Sequence, residues 1–192
     1  MIRARKLSKR FGDKRVLDRL DLEVPSGGFV LVTGPNGSGK TTLLRLCAGL
    51  YAPTDGELEV DATRGSIGFL AHEPLVYREL TALENLDLYG RLYRVPERRE
   101  RCGAMLERFG LWDARNERAA NFSRGMLQRL ALCRTFLHEP DLLLLDGPFD
   151  GLDADAEKRL HLKLVEHGST VLVATHDPKP LAARATARLA LA

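Results

Sequence analysis

A glycine-rich segment that ends in a lysine and two threonines is the clearest sign of chemistry in the sequence. It reads Gly34-Pro-Asn-Gly-Ser-Gly-Lys-Thr-Thr42 and matches the phosphate-loop pattern G-x-x-x-x-G-K-S/T. Glycines allow the backbone to curl so that successive N–H groups face an anion. The residues predicted to bind a nucleoside triphosphate are Gly34, Pro35, Asn36, Gly37, Ser38, Gly39, Lys40, Thr41 and Thr42.

The side chains of this segment suit different parts of MgATP. Lys40 is predicted to reach the β- and γ-phosphates, Thr41 to offer a hydroxyl to Mg²⁺, and Thr42 to support the α-phosphate side. The apolar run 29–32 predicts a buried strand before the loop, and residues 41–50 predict a helix after it. A plain glycine turn is the alternative, but this strand–loop–helix context favours MgATP.

An aspartate at the end of an apolar run indicates the same chemistry. Residues 142–145 are four leucines that predict a buried parallel strand, and Asp146 follows them directly. Ligands bind at the carboxyl ends of such strands, so Asp146 is predicted to hold Mg²⁺ through a water molecule. The alternative is that Asp146 only caps the following turn.

The remaining pattern predicts the scaffold that positions these groups. It is an α/β fold, a P-loop NTPase core with a mainly parallel sheet, N-terminal antiparallel strands and an inserted helical subdomain. The predicted core is 1–72 and 126–192, and the helical subdomain is about 73–125. Other predicted strands are 16–24, 56–60, 66–70 and 170–174; predicted helices are 80–95, 96–109, 126–138 and 154–166; the tail from Pro180 is predicted to form a helix and a final strand.

Composition narrows the class of protein. The chain has 192 residues and a net charge of +3, and its basic runs 3–10 and 98–101 are interpreted as solvated faces rather than a nucleic-acid footprint. Cys47, Cys102 and Cys133 have no paired spacing, which favours buried thiols over a metal site or disulfides. No apolar run approaches the roughly 20 residues that cross a bilayer. If the protein serves transport, another chain is expected to supply the channel.

Beside these motifs, three further segments make the whole chain resemble the ABC ATPase family. Phe122-Ser-Arg-Gly-Met126 is similar to the family signature, usually Leu-Ser-Gly-Gly-Gln: Ser123 and Gly125 match, and Arg124 and Met126 depart. Gly151, Leu152 and Asp153 resemble the D-loop, and Thr175-His176-Asp177 resembles the switch histidine. The resemblance implies a single ABC ATP-binding domain over 1–192. Adenylate kinases and GTPases share the phosphate loop but lack the signature and the switch histidine.

The resemblance also implies roles for individual side chains. Phe11 is expected to stack on adenine, with Val16 in the same ATP-binding set, and His176 to contact the γ-phosphate and the attacking water. His72 stands where the family usually has a glutamine that touches the metal and water, and its charge can change near neutral pH. The alternatives are a core phenylalanine, a structural histidine and, for Ser123, an ordinary helix cap.

One position departs from the family in a way that affects catalysis. Gly147 stands where the family normally has the glutamate that orients and polarises the attacking water. General-base help is worth roughly 10²–10⁴ in rate, so hydrolysis is expected to be slow by about that factor unless another group compensates. Natural divergence and a deliberate substitution that traps ATP both remain open.

The resemblance extends to partners and cargo. It implies a head-to-tail homodimer closed by ATP, at the cytoplasmic face of the membrane, with permease subunits docking near residues 72–79, where Leu75 and Tyr77 are expected to be partly exposed. His72, residues 80–86 and the compact tail resemble the haem-exporter ATPase of cytochrome c maturation, and also drug, lipid and polysaccharide exporters. A nucleotide-binding module that does not hydrolyse ATP and an ABC ATPase without a membrane partner are the competing interpretations.

Overall fold

The strands form two sheets in the computed structural model, which describes residues 1–192. The first sheet is antiparallel, in the order β2-β1-β4, and contains β1 (Ile2–Phe11), β2 (Lys14–Val24) and β4 (Asp55–Val60). The predicted N-terminal antiparallel strands are therefore confirmed. The basic run 3–10 lies within β1, where it alternates between the exposed Arg3 and Arg5 and the buried Ala4 and Leu7. Only the side chains on one face of this strand segment are therefore exposed to solvent.

The second sheet is parallel throughout and has five strands in the order β5-β6-β7-β3-β8. Its members are β3 (Phe29–Thr33), β5 (Ile67–Leu70), β6 (Leu142–Asp146), β7 (Thr170–Ala174) and β8 (Ala187–Ala190). The inner strands β3, β6 and β7 are apolar runs without alternation, because both of their faces are buried. All five strands point the same way, so their carboxyl ends share one edge of the sheet.

Five α-helices connect the strands, with bounds close to the predicted ones. They are α1 (Lys40–Cys47), α2 (Ala82–Leu92), α3 (Arg98–Arg108), α4 (Arg124–Phe136) and α5 (Ala154–His167); short 3-10 helices cover Arg64–Ser66, Ala119–Asn121 and Lys179–Leu181. None of these helices combines the length and apolar character that crossing a membrane requires.

The predicted helix in the tail is wrong, whereas the predicted final strand is confirmed. Only the 3-10 turn Lys179–Leu181 forms before the chain extends into β8. Thr186 forms two hydrogen bonds with the backbone of Phe29. Its N–H donates to the Phe29 carbonyl at 2.8 Å, and its hydroxyl accepts from the Phe29 N–H at 3.0 Å. Backbone pairing with the free edge of β3 therefore holds the tail in an extended conformation.

The chain divides into two compact units. One contains Met1–His72, Asp141–Gly147 and Ser169–Ala192, and the other contains Glu73–Pro140 and Pro148–Gly168. The division falls after residue 72 and groups α4 and α5 with the helices, whereas the predicted core is 1–72 and 126–192. Both helices group there because α4 packs on α2 and α3, and because Arg108 of α3 forms a 2.7 Å ion pair with Glu166 of α5.

The three cysteines are buried, as predicted from their spacing. Burial raises the pKa of the Cys47 thiol to about 12 and that of the Cys102 thiol to about 11, because it disfavours the charged thiolate. Burial also raises the pKa of Cys133, which lies on α4. All three side chains therefore act as small apolar groups in the core.

Candidate nucleotide-binding site

The glycine-rich loop connects β3 directly to α1, as its sequence context predicted. Gly39 is the residue before α1, and a Cβ built there would lie 2.9 Å from the Val16 carbonyl oxygen and 2.8 Å from Leu17 Cδ2. No side chain fits at this point, because β2 lies against the loop. The structure therefore brings Val16 to the phosphate loop, and its place in the ATP-binding set stays a prediction.

Two polar side chains of the loop have unused hydrogen-bonding capacity. The Lys40 ammonium donates to the carbonyl oxygens of Gly34 and Pro35, each at 2.8 Å, and forms no ion pair with an acidic residue. The Ser38 hydroxyl is buried and has no hydrogen-bond partner. A buried polar atom without a partner is costly, and a bound ligand would satisfy it. The loop therefore fits an anionic group such as a triphosphate.

A hydrogen bond joins the loop to the aspartate of β6. The Thr41 hydroxyl donates to Asp146 Oδ2 at 2.6 Å, and Asp146 is only 6% exposed. These two oxygens are the ligand type that Mg²⁺ prefers, usually together with phosphate oxygens and water. No three His, Cys, Asp or Glu side chains converge elsewhere into a metal cage. The donor set fits Mg²⁺ held jointly with a nucleotide.

The register of the parallel sheet places the other predicted catalytic residues at the same edge. Asp146 pairs with Ala174, and Ala174 pairs with Val32, so β6, β7 and β3 end side by side. His72 follows β5 and His176 follows β7 by two residues each, and both are exposed. The turn that carries His176 is closed by Thr175, whose hydroxyl donates to the Asp177 carbonyl at 2.8 Å.

Gly147 lies at this edge with a left-handed backbone. Its φ is 60°, and its N–H donates to the Ala174 carbonyl at 2.9 Å. Glycine adopts this conformation freely, whereas another residue there is strained by about 1–2 kcal/mol. The structure therefore gives Gly147 a backbone that suits glycine, and it leaves the position after Asp146 without a carboxylate.

Phe11 ends β1 and is 44% exposed, which agrees with a stacking surface rather than with an ordinary core phenylalanine. Its ring packs against Tyr51, which follows α1. The sequence analysis missed Tyr51, because it belongs to no motif. The only signal was an aromatic residue within two positions of the predicted helix end.

The signature and D-loop residues come together in the helical unit. Ser123 caps α4, where its hydroxyl accepts from the Met126 N–H at 3.2 Å, and Asp153 caps α5 by accepting from the Ala156 N–H at 2.8 Å. Gly125 and Gly151 are in direct contact, since a Cβ on Gly125 would lie 2.8 Å from the Gly151 carbonyl oxygen. The exposed Arg124 side chain also lies along Gly151; Leu152 occupies the next position of the D-loop.

A buried asparagine, which the sequence analysis also missed, holds the segment before α2. Asn85 Oδ1 accepts from the Tyr77 N–H at 2.8 Å, and its Nδ2 donates to the carbonyls of Tyr77 and Thr81, each at 2.9 Å. Leu75 and Tyr77 themselves are 46% and 50% exposed, as predicted. The amide of Asn85 therefore fixes a turn that presents apolar side chains to solvent.

The parallel sheet, the loop between β3 and α1 and the Thr41–Asp146 pair define a P-loop α/β domain. A model of the family described as ABC transporter matches residues 17–150. The daunorubicin resistance ATP-binding protein DrrA3 of Streptomyces coeruleorubidus is 40% identical over 87% of this chain and 57% of its own length. The aliphatic sulfonates import ATP-binding protein SsuB of Burkholderia ambifaria is 40% identical over 89% of this chain and 54% of its own length. The chain belongs to the ABC transporter family, and it spans little more than half the length of these two relatives.

Solved structures share the fold. One described as the ATP-binding subunit of an ABC transporter has a TM-score of 0.91 at 27% identity, and the match covers 99% of this chain and 85% of that chain. The cassette MJ0796, in a dimeric post-hydrolysis state bound to ADP and Pi, has a TM-score of 0.83 at 30% identity over 94% of this chain and 90% of that chain. The predicted fold class is therefore confirmed.

The contact between Gly125 and Gly151 generates a prediction about stability. Gly125→Ala is expected to lower the free energy of unfolding by about 1–3 kcal/mol, because its methyl group displaces backbone atoms of the D-loop. Urea unfolding measures the effect. Gly103→Ala on α3 is the matched control, since its Cβ would meet the Trp112 ring at an ordinary 3.4 Å. A Gly125→Ala protein as stable as the parent would show that the two loops are not packed in this way.

Proposed function

We propose that this chain is the ATP-binding and ATP-hydrolysing subunit of an ABC transporter. The observation that carries the proposal is the 2.6 Å bond between Thr41 and Asp146 beneath a loop with unused polar groups. A loop that only turned the chain would need neither an unpaired buried hydroxyl nor a lysine without an acidic partner. Membership of the family supports the same assignment.

In this proposal, different residues of the chain bind different parts of MgATP. The backbone N–H groups of residues 36–41, with Lys40, bind the phosphates, and Ser38 directs its buried hydroxyl into the loop. Thr41 and Asp146 hold Mg²⁺, which neutralises phosphate charge when it is bound. His72 and His176 sit at the edge where water approaches the γ-phosphate. Phe11 offers its exposed ring to the adenine.

The proposal includes a head-to-tail dimer closed by ATP. Ser123, Gly125 and the exposed Arg124 lie at the positive amino end of α4, where they suit a phosphate bound by the loop of a second copy. MJ0796, at 30% identity, forms a dimer in its structure. Twofold symmetry makes the two sites of such a dimer equivalent. ATP favours the closed state because it gains the second set of contacts only there.

The proposal also covers attachment to the membrane and the transported cargo. The segment 72–79 presents Leu75 and Tyr77 to a permease subunit, which places the chain peripherally at the cytoplasmic face of the membrane. The relatives are named for drug resistance and sulfonate import. They do not support the narrower prediction of haem export in cytochrome c maturation, which rests on the resemblance of His72, residues 80–86, the signature 123–126 and the compact tail.

Loss of the lysine tests the nucleotide site. Lys40→Ala is expected to weaken ATP binding at least tenfold, because each hydrogen bond to a charged group contributes about 1.5–3 kcal/mol. Isothermal titration calorimetry with ATP and Mg²⁺ gives the affinity. Arg99→Gln, an exposed charge on α3, serves as the control and should bind ATP like the parent. Equal affinity in the Lys40→Ala and parent proteins would argue against a phosphate loop.

A carboxylate introduced at position 147 tests the role of Gly147. The glycine there also favours the second candidate function, a module that binds ATP without hydrolysing it. The parent is expected to be dimeric with MgATP and nearly inactive, and Gly147→Glu to raise turnover, up to roughly 10²–10⁴-fold. Phosphate release and light scattering measure the two properties. Gly147→Ala carries the same backbone strain without a carboxylate, so it should stay inactive. If both variants remain inactive while ATP still dimerises the chain, the non-hydrolysing module is the better description.

Charge on the exposed apolar side chains tests the membrane partner. Leu75→Asp with Tyr77→Asp is expected to abolish co-purification with the transmembrane subunit, because the apolar contact is replaced by carboxylates that must be desolvated. Leu92→Asp, on a more exposed leucine of α2, should leave co-purification intact. Undiminished binding by the double variant would place the docking surface elsewhere or favour an ATPase without a membrane partner.

A further inference from the structure

The ring of Phe11 is supported by a second aromatic ring that the proposed function does not yet use. The centroids of Phe11 and Tyr51 are 5.3 Å apart, and their planes meet at 73°. Edge-to-face pairs of this kind stabilise a defined ring orientation. Phe11 directly precedes the exposed turn Gly12-Asp13 between β1 and β2, and the Tyr51 ring restrains its rotation.

Tyr51 is in turn tied to the helix that follows the phosphate loop. Its hydroxyl accepts a hydrogen bond from Arg45 Nη1 at 2.9 Å, and its backbone N–H donates to the Arg45 carbonyl at 3.3 Å. The Arg45 guanidinium also lies 5.7 Å from the ring centroid of Tyr51. Arg45 belongs to α1, the helix that begins with Lys40 and Thr41. A chain of contacts therefore links the phosphate-binding helix to the ring of Phe11.

A lysine limits the direction from which a base can reach Phe11. The Lys9 ammonium lies over the Phe11 ring at 5.0 Å and over the Tyr51 ring at 5.6 Å. It is held there because it donates to the Ala52 carbonyl at 2.7 Å. A cation therefore lies over one face of Phe11, and we expect a planar base to stack on the other face.

We propose that Tyr51 is a positioning residue for the nucleotide base. It holds Phe11 at a fixed distance and angle from the phosphate loop, so that one ligand can contact the ring and Lys40 together. The ligand class is a purine nucleoside triphosphate, whose base and phosphates are joined by a ribose of fixed length. Pre-orienting the ring raises affinity because less side-chain freedom is lost on binding. The inference rests on the proposed function of the phosphate loop.

A comparison of two probes separates the base from the phosphates. ATP carries both, whereas inorganic tripolyphosphate carries only the phosphates. Phe11→Ala is expected to weaken ATP binding by roughly 5- to 100-fold, since stacking of a base on an aromatic ring is worth about 1–3 kcal/mol. Tyr51→Leu is expected to weaken it about 2- to 10-fold, the range that corresponds to an aromatic pair of roughly 0.5–1.5 kcal/mol. Tripolyphosphate affinity is expected to stay unchanged in both variants.

Further variants exclude a general effect on folding. Tyr51→Phe keeps the ring and loses only the bond to Arg45, so its ATP affinity should lie between those of the parent and Tyr51→Leu. Leu50→Ala changes the exposed neighbour of Tyr51 and should bind both probes like the parent. Adding Tyr51→Leu to Phe11→Ala should cost nothing more, because residues that act through one contact are not additive.

The possible outcomes distinguish this inference from the proposed function. Selective loss of ATP affinity in Tyr51→Leu supports the positioning role. Equal losses for ATP and tripolyphosphate, or no loss for either, overturn it and leave the phosphate loop as proposed. A parent protein that binds tripolyphosphate as tightly as ATP also overturns it, because the base then contributes nothing. A parent that binds neither probe overturns the proposed function and the inference together.

Discussion

The hydrogen bond between Thr41 and Asp146 is the interaction on which the rest of the site depends. It joins residues 105 positions apart in the chain, and it gives a partner to a carboxylate that is almost fully buried. An unpaired charge in that place would cost several kcal/mol. The bond can form only because β3 and β6 are parallel members of one sheet. The strand between them, β7, delivers His176 to the same edge.

The parts of the fold that the sequence predicted are those encoded by local pattern. The strands around 29–32, 142–145 and 170–174 are uninterrupted apolar runs, and the phosphate loop has a fixed spacing of glycines. The missed features depend on tertiary contacts. The tail became a strand because β3 had a free edge, and α4 joined the helical unit because of the faces it packs against. Tyr51 packs against Phe11, which is distant in sequence, and Asn85 holds a turn four to eight positions before it, so neither forms a motif.

The signature and D-loop residues have two interpretations: they cap helices α4 and α5, or they form a surface that binds a phosphate. Ser123 caps α4, as the simpler interpretation predicts, and Asp153 caps α5. A cap satisfies one of the first four N–H groups of a helix, and the others remain available to an anion. The contact of Gly125 with the Gly151 backbone adds a constraint that capping does not require. The two loops therefore pack together as one surface, as the proposed dimer requires.

The effect of a glycine at position 147 follows from comparing the energy of a catalytic carboxylate with the energy of backbone strain. A catalytic carboxylate worth roughly 10²–10⁴ in rate corresponds to about 3–5.5 kcal/mol of transition-state stabilisation. The left-handed backbone with φ of 60° opposes any other residue by only about 1–2 kcal/mol. Backbone strain alone therefore does not exclude a carboxylate at this position. Under the proposed function, Gly147 lacks only the carboxylate expected to orient water, while the Thr41–Asp146 pair beside it is in place.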